Sequence, residues 1–276
     1  MWLTNEQDGR KYTDGVEMGN SSGRHRYIAH LPGFVPMLLP FDFQRDPYLI
    51  LDFSATNPDL PGLDLTNTAA FTDYVFGKLR TAGVSVGVGG YNEHRTIYRR
   101  SEHFQQMETP PCDRYRTAAA DRRAPAGAGP REIHLGIDFW ADAGTPVFAP
   151  LDGVVHSFRD NANFGDYGPT IILEHDTPDG LLYSLYGHLT RSSLTGLYDG
   201  KPVRAGEKIA QIGPYPENGD WPPHLHCQLT TDMLGLRGDF PGVCSLPDRE
   251  KFLSICPNPN ALLGIGGLRE LVSKRP

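Results

Sequence analysis

Ile133-His-Leu-Gly-Ile-Asp-Phe139 and, far downstream, His224-Leu-His-Cys-Gln-Leu229 are the two stretches whose reading decides the fold. Successive side chains of a β-strand point to opposite faces, so residues two or four apart point the same way. In the first stretch His134, Gly136 and Asp138 share one face, and Ile133, Leu135, Ile137 and Phe139 share the other. In the second, His224, His226 and Gln228 face one way, and Leu225, Cys227 and Leu229 the other. Both read as half-buried strands with an apolar back and a polar front, able to present histidines to an open cleft. An imidazole and a carboxylate from one strand with two imidazoles from another are the parts of a mononuclear zinc site. Zinc takes imidazole nitrogen and carboxylate oxygen at about 2.0–2.2 Å, and a catalytic site uses three protein ligands. Three ligands drawn from these two pairs leave one histidine over for proton work.

Working outward, residues 131–235 are mostly strand and turn. Asp152-Gly153 precedes a strand over Val154 to Phe158. Thr170–His175 and Leu181–Leu189 flank an Asp179-Gly180 turn and read as a hairpin, and Lys208–Ile212 is a further short strand. Upstream, Tyr48–Phe53 and Val84–Gly89 are strand-like. Asn67–Leu79 carries Phe71, Tyr74, Val75 and Leu79 at helical spacing, with Asn67 or Thr68 at its start. The run Thr117–Pro130, rich in Ala, Gly and Pro, reads as a linker or exposed loop. The expected organisation is an N-terminal accessory region at 1–107, a linker at 108–130, a metal-binding domain at 131–256 and a tail at 257–276 with a short helix at 268–273. No catalytic motif is evident before residue 105.

The composition narrows the function. The 276 residues suffice for one large domain or two ordinary ones, and 31 glycines with 24 prolines favour short strands and turns over long helices. A net charge of −7 gives no basic footprint for nucleic acid and no attraction to an anionic membrane. The first twenty residues hold no apolar run of signal-peptide type, which makes the cytoplasm the expected compartment. Cys112, Cys227, Cys244 and Cys256 lack C-x-x-C spacing and read as reduced thiols.

The ordered series His134-Leu-Gly-Ile-Asp138-Phe, Ala143–Val155, Tyr186-Gly-His188-Leu, Val203–Gly213 and Pro223-His224-Leu-His226 resembles the lysostaphin/LytM-type zinc endopeptidases, which cut peptide cross-links of bacterial peptidoglycan. The resemblance covers about residues 131–235. It implies a mainly β fold, a compact antiparallel sheet of barrel-sandwich type, here joined to an α+β N-terminal region. It also implies one zinc ion held by His134, Asp138 and His226, with His188 and His224 as the catalytic pair. The implied activity is hydrolysis of peptide bonds in peptidoglycan or derived peptides. Many members carry Ser-Thr-Gly-Pro before the H-x-H and Phe-Glu after it. Here Gly219-Asp-Trp-Pro-Pro223 precedes and Cys227-Gln228 follows, changes that touch the groove and leave the metal set intact. Gly90-Tyr-Asn-Glu-His-Arg95 and Asp166–His175 are similar to a subgroup fused, in longer proteins, to phosphotransferase and aminotransferase domains.

Other chemistry-bearing residues have plainer readings. His25, His30, His94, His103, His156 and His175 are structural or surface histidines, with His175 serving the Asp179-Gly180 turn. Asp152 and Asp166 serve turns, and Tyr183 and Tyr186 serve packing or the groove wall. Trp221 lines the groove or packs beneath Pro222-Pro223. Gln228 is a candidate hydrogen-bond partner for a ligand histidine. The N-terminal half is a candidate lid, with Asn92 and His94 as the residues able to plug the groove. Two further functions fit the same motifs: a cytosolic hydrolase of small peptides or amides, and a metal-binding module without turnover.

Overall fold

The computed structural model describes residues 37–105 and 129–268. The strands are β1 (Leu49–Leu51), β2 (Gly87–Gly89), β3 (Arg131–His134), β4 (Ile137–Trp140), β5 (Pro146–Phe148), β6 (Gly153–Asn161), β7 (Gly168–Thr177), β8 (Gly180–Gly187), β9 (Pro202–Val203), β10 (Lys208–Gln211), β11 (His224–Thr230) and β12 (Val243–Ser245). The α-helices are α1 (Thr68–Ala82), α2 (Arg249–Ile255) and α3 (Asn260–Leu263). The fold is mainly β. One eight-stranded sheet runs β1-β2-β4-β11-β8-β7-β6-β9, with separate two-stranded ladders β10-β5 and β12-β3. All pairings are antiparallel except β1 with β2.

The hairpin forms where the Asp-Gly turn calls for it, with Thr177 opposite Gly180 and the ladder continuing to Ile171 opposite Tyr186. Asn67 caps α1 by accepting a hydrogen bond from the Ala70 amide at 3.1 Å, and Gly83 ends it in the left-handed conformation at φ 68°. Phe71, Val75 and Leu79 form its buried stripe. Residues 49–51 and 87–89, from the N-terminal region, are strands of the same sheet as the H-x-H strand. Leu263, Ile265 and Leu268, beyond residue 257, pack into the same core as that sheet. The helix expected at 268–273 lies outside the described residues, Leu268 apart, as does most of the 108–130 linker.

Two predicted features differ. Residues 133–139 do not form one strand. The chain breaks at Leu135-Gly136, where the Leu135 amide donates to the Gly242 carbonyl at 2.9 Å. Before the break, β3 pairs with β12; after it, β4 sits between β2 and β11. The polar front is not open either. Ile137, Phe139, Leu225 and Cys227 do face the main core, as alternation requires. The opposite face is covered by a second core of Phe53, Phe71, Tyr98, Phe104, Trp140 and Trp221. All seven residues of β11 and all four of β4 are therefore buried. Segment 53–104, which carries no metal-site pattern of its own, supplies Phe53, Phe71, Tyr98 and Phe104 of this cover.

Candidate active site

Antiparallel pairing of β11 with β4 sets His226 opposite Asp138 and His224 opposite Trp140. Side chains directly opposite on one face lie close enough to touch. His134 Nε2 lies 3.0 Å from His226 Nδ1 and 3.3 Å from Asp138 Oδ1, and His226 Nδ1 lies 3.1 Å from the same Oδ1. Among the described residues, His134, Asp138 and His226 form the group whose donor atoms could hold a metal ion, and all three are buried.

The outer hydrogen bonds fix the tautomers. His134 Nδ1 donates to the Gly90 carbonyl at 2.8 Å, which leaves Nε2 without a proton in the neutral ring. The Gln228 amide nitrogen donates to the Pro241 carbonyl at 3.1 Å, so its oxygen accepts from His226 Nε2 at 3.0 Å and His226 Nδ1 is bare. Burial, and then the Arg95 charge, push His134 down to about 4, so it is neutral at pH 7. Burial alone would raise the Asp138 carboxyl, but its charged surroundings, the Arg95 guanidinium among them, hold it well below the usual carboxylate range. With both rings neutral, two bare nitrogen lone pairs and an anionic oxygen face one another. Such an arrangement repels itself unless a cation sits among the three. The 3.0–3.3 Å spacings fit the edges of a tetrahedron of ligands, ~3.3 Å for bonds of about 2.0 Å. The residues present suit zinc.

The remaining two histidines lie beside this group. His188 and His224 have ring centroids 4.1 Å apart. Each donates from Nδ1 to a backbone carbonyl, His188 to Asn218 at 2.8 Å and His224 to Pro222 at 2.7 Å, so each leaves Nε2 unprotonated. Burial pushes His224 down to about 4 and, with the neighbouring His224, takes His188 well below its ordinary value. His224 also stacks on Trp140, with centroids 4.1 Å apart and planes 16° from parallel. His188 has a left-handed backbone at φ 63°, uncommon for a residue with a Cβ. Its amide donates to the Tyr167 carbonyl and its carbonyl accepts from Gly213, both at 2.8 Å. Four of the five, Asp138, His188, His224 and His226, line one cavity of about 260 Å³, whose walls also include Tyr98 and Trp221.

The other expected residues are placed as follows. Trp221 lines this cavity and also packs against Phe71, with the Arg100 guanidinium 4.4 Å from its ring. Asn92 Oδ1 accepts from Arg249 Nε at 2.8 Å, and His94 is paired with Glu132 at 2.8 Å, so neither reaches the metal group. His175 is not a turn residue: it is buried within β7, bonded to the Asp152 carbonyl and, at 2.6 Å, to Ser184 Oγ. Tyr186 is fully buried core. Cys227, Cys244 and Cys256 are free and buried. Sequence reasoning passed over Arg95, which bonds Asp138, and Tyr167, whose hydroxyl lies 3.4 Å from His226 Nε2. The subgroup phrase Gly90–Arg95 was the one sequence signal pointing to Arg95.

Comparison with known proteins follows the same segment. Residues 132–235 match Peptidase family M23. A protein described as an uncharacterized metalloprotease of Haemophilus influenzae is 36% identical over 111 residues, covering 40% of this chain and 21% of that protein. The DD-carboxypeptidase/endopeptidase Mpg of Neisseria meningitidis serogroup B is 36% identical over 94 residues, covering 34% of this chain and 19% of that protein. The chain spans about a fifth of the length of the curated relatives it matches. Among solved structures, the catalytic domain of lysostaphin from Staphylococcus simulans is 26% identical, with 48% of this chain and 80% of that chain covered and a TM-score of 0.32. The segment that matches Peptidase family M23, residues 132–235, contains all five positions described above.

Proposed function

We propose that the chain is a zinc-dependent endopeptidase acting on peptide bonds of peptidoglycan cross-links or of peptides derived from them. The observation that carries this reading is the convergence of His134 Nε2, Asp138 Oδ1 and His226 Nδ1 beside a cavity lined by two further unprotonated histidine nitrogens. Those three residues would hold the ion. When bound, zinc supplies a hydroxide nucleophile near neutral pH and polarises a carbonyl.

The protein's own groups do the rest. His188 and His224 are neutral at pH 7 with Nε2 free to accept, so they are bases in the resting site. One takes the proton of the attacking water and returns it to the departing amine. The other takes up a proton from solvent when substrate binds, donates a hydrogen bond to the tetrahedral oxyanion, and gives that proton back to solvent on product release. Trp140 and the Asn218 carbonyl keep the two rings in place for these transfers. Tyr167, Trp221 and Tyr98 shape the cavity and keep bulk water from the reacting bond. The relatives described as a metalloprotease and a DD-carboxypeptidase/endopeptidase support the substrate class.

The test is metal analysis of the purified protein, followed by assays on peptidoglycan and on small peptides side by side. Stoichiometric zinc with release of new amino termini from peptidoglycan is expected. Turnover of small peptides alone would replace the substrate class, and zinc without turnover on either would leave a binding module.

A further inference from the structure

Arg95 is buried to 0% exposure, and its charge is matched on two sides. Its Nη1 donates to Asp138 Oδ2 at 2.5 Å and its Nε to Glu93 Oε2 at 2.9 Å. Nη1 also reaches the Tyr98 hydroxyl at 3.3 Å, and Nη2 the Gly90 carbonyl at 3.2 Å. A buried arginine is tolerated only when its donors are met by charge and hydrogen bonds. The consequence for Asp138 is asymmetry. Oδ2 is engaged by the guanidinium, whereas Oδ1 faces His134 and His226.

The same segment also sets His134. The Gly90 carbonyl that receives Arg95 Nη2 also receives His134 Nδ1. The His134 amide donates to the Glu93 carbonyl at 3.0 Å, and the Asn92 amide to the His134 carbonyl at 2.8 Å. β2 places Gly89 opposite Asp138, and a Cβ on Gly89 would stand 2.7 Å from Arg95 Nη2. Glycine there gives the guanidinium its path to the carboxylate. Three independent features of segment 89–95 therefore converge on two of the proposed ligands.

We infer that Arg95, held by Glu93, is a positioning residue of the metal centre: it reserves Oδ2 of Asp138 so that Oδ1 alone is presented to the ion. Segment 89–95 is on this view an integral part of the centre and not a removable cover. The inference rests on the metal reading given above. With Arg95 in place the carboxylate is a one-oxygen ligand, and a coordination position stays free for water. Without it, the second oxygen is released to compete for that position.

The test compares full-length parent, Arg95→Lys, Arg95→Met and Glu93→Gln. Zinc affinity is measured by competition with a chromogenic chelator, and the cobalt(II)-substituted proteins by visible absorption. Arg95→Met is expected to lower zinc affinity ~10–100-fold, the usual effect of losing a group that orients a ligand. Its cobalt bands should weaken as a second carboxylate oxygen adds to the coordination. Arg95→Lys should recover part of both signals, because one donor can still hold Oδ2. Glu93→Gln keeps the Arg95–Asp138 contact and should shift both readouts less than Arg95→Met. If Arg95→Met does not fold, Arg95→Lys and Glu93→Gln carry the test, with a change in the cobalt spectrum of Arg95→Lys expected. Folded Arg95 variants with zinc affinity and cobalt spectrum within twofold of the parent would overturn the inference and leave the peptidase reading standing. A parent that binds no zinc would overturn both.

Discussion

His226 stands directly opposite Asp138 in the ladder between β11 and β4, with Nδ1 3.1 Å from Oδ1. Residues 88 positions apart in the chain thus become two sides of one site through a single register. A one-residue slip of β11 would turn His224 and His226 to the core and Leu225 and Cys227 to the cavity. The apolar backs of both strands, packed in the main core, prevent that slip.

On the proposed reading, holding the ion and moving protons fall to different residues. His226→Ala should abolish zinc binding, since it removes one of three converging donors. His188→Ala should retain zinc and lose activity by ~10²–10⁴-fold, the range for a lost acid–base group. Metal analysis beside an activity assay checks both. Stoichiometric zinc in purified His226→Ala would refute the ligand assignment.

Gln228 Oε1 accepts a hydrogen bond from His226 Nε2 while its own amide is pinned to the Pro241 carbonyl, which favours the Nε2–H tautomer of His226. Gln228→Leu removes the acceptor and frees the ring to tautomerise. Zinc affinity should fall ~10–100-fold with the fold retained. A Kd unchanged from the parent would show that the tautomer is set some other way.

Gly136 shares the face of His134 and Asp138, and no side chain fits there. A Cβ would lie 2.6 Å from His226 Cε1 and 2.7 Å from the Cys227 carbonyl. Gly136→Ala should cost about 1–3 kcal/mol, as overpacking does, and displace the His226 ring so that zinc binding weakens. Gly62→Ala, where nothing lies within 4 Å, is the control and should stay within about 0.5 kcal/mol of the parent. Urea unfolding and chelator competition on both variants measure this. Equal behaviour of the two would count against the packing argument.

Acid should destabilise the zinc-free protein well above the carboxylate range. His134 and His224 are pushed down to about 4, and His188 well below its ordinary value, all chiefly by burial. Between pH 6.5 and 4 the unfolded chain therefore binds protons that the folded chain refuses, and stability falls as pH falls. Each of the three contributes at most about 1.4 kcal/mol per pH unit. Asp138 has the opposite shift: its stabilisation is present above its unfolded value of 3.8 and is lost only in stronger acid, so it does not mask the effect. Urea midpoints with chelator from pH 7 to 4.5 should decline steadily. A flat profile would show these histidines to be protonated in the folded state.

Much of the site was legible because strand alternation is local. His134, Asp138, His224 and His226 could be assigned to polar faces from spacing alone, and Asp179-Gly180 and Asn67 marked a hairpin and a helix start from turn and cap chemistry. The break at Leu135-Gly136 was not legible. It depends on the Gly242 carbonyl taking the Leu135 amide, a partner more than a hundred residues away. The cover over the polar face was hidden for a similar reason. Phe71, Tyr98 and Trp221 each read as ordinary apolar residues, and only packing places them on one wall. His175 read as a turn residue because its neighbours in sequence form a turn, whereas its partners are Asp152 and Ser184.

By itself, the chain's sequence determined which residue types could meet a metal, the faces they would occupy and the mainly β architecture, because side-chain periodicity and turn chemistry act between near neighbours. Tertiary structure alone decided that the donor atoms meet, that aromatic side chains from distant segments wall the cavity beside them, and that Arg95 touches Asp138. Those outcomes depend on register and burial between distant segments, where geometry sets charge and proton position and no local pattern records it.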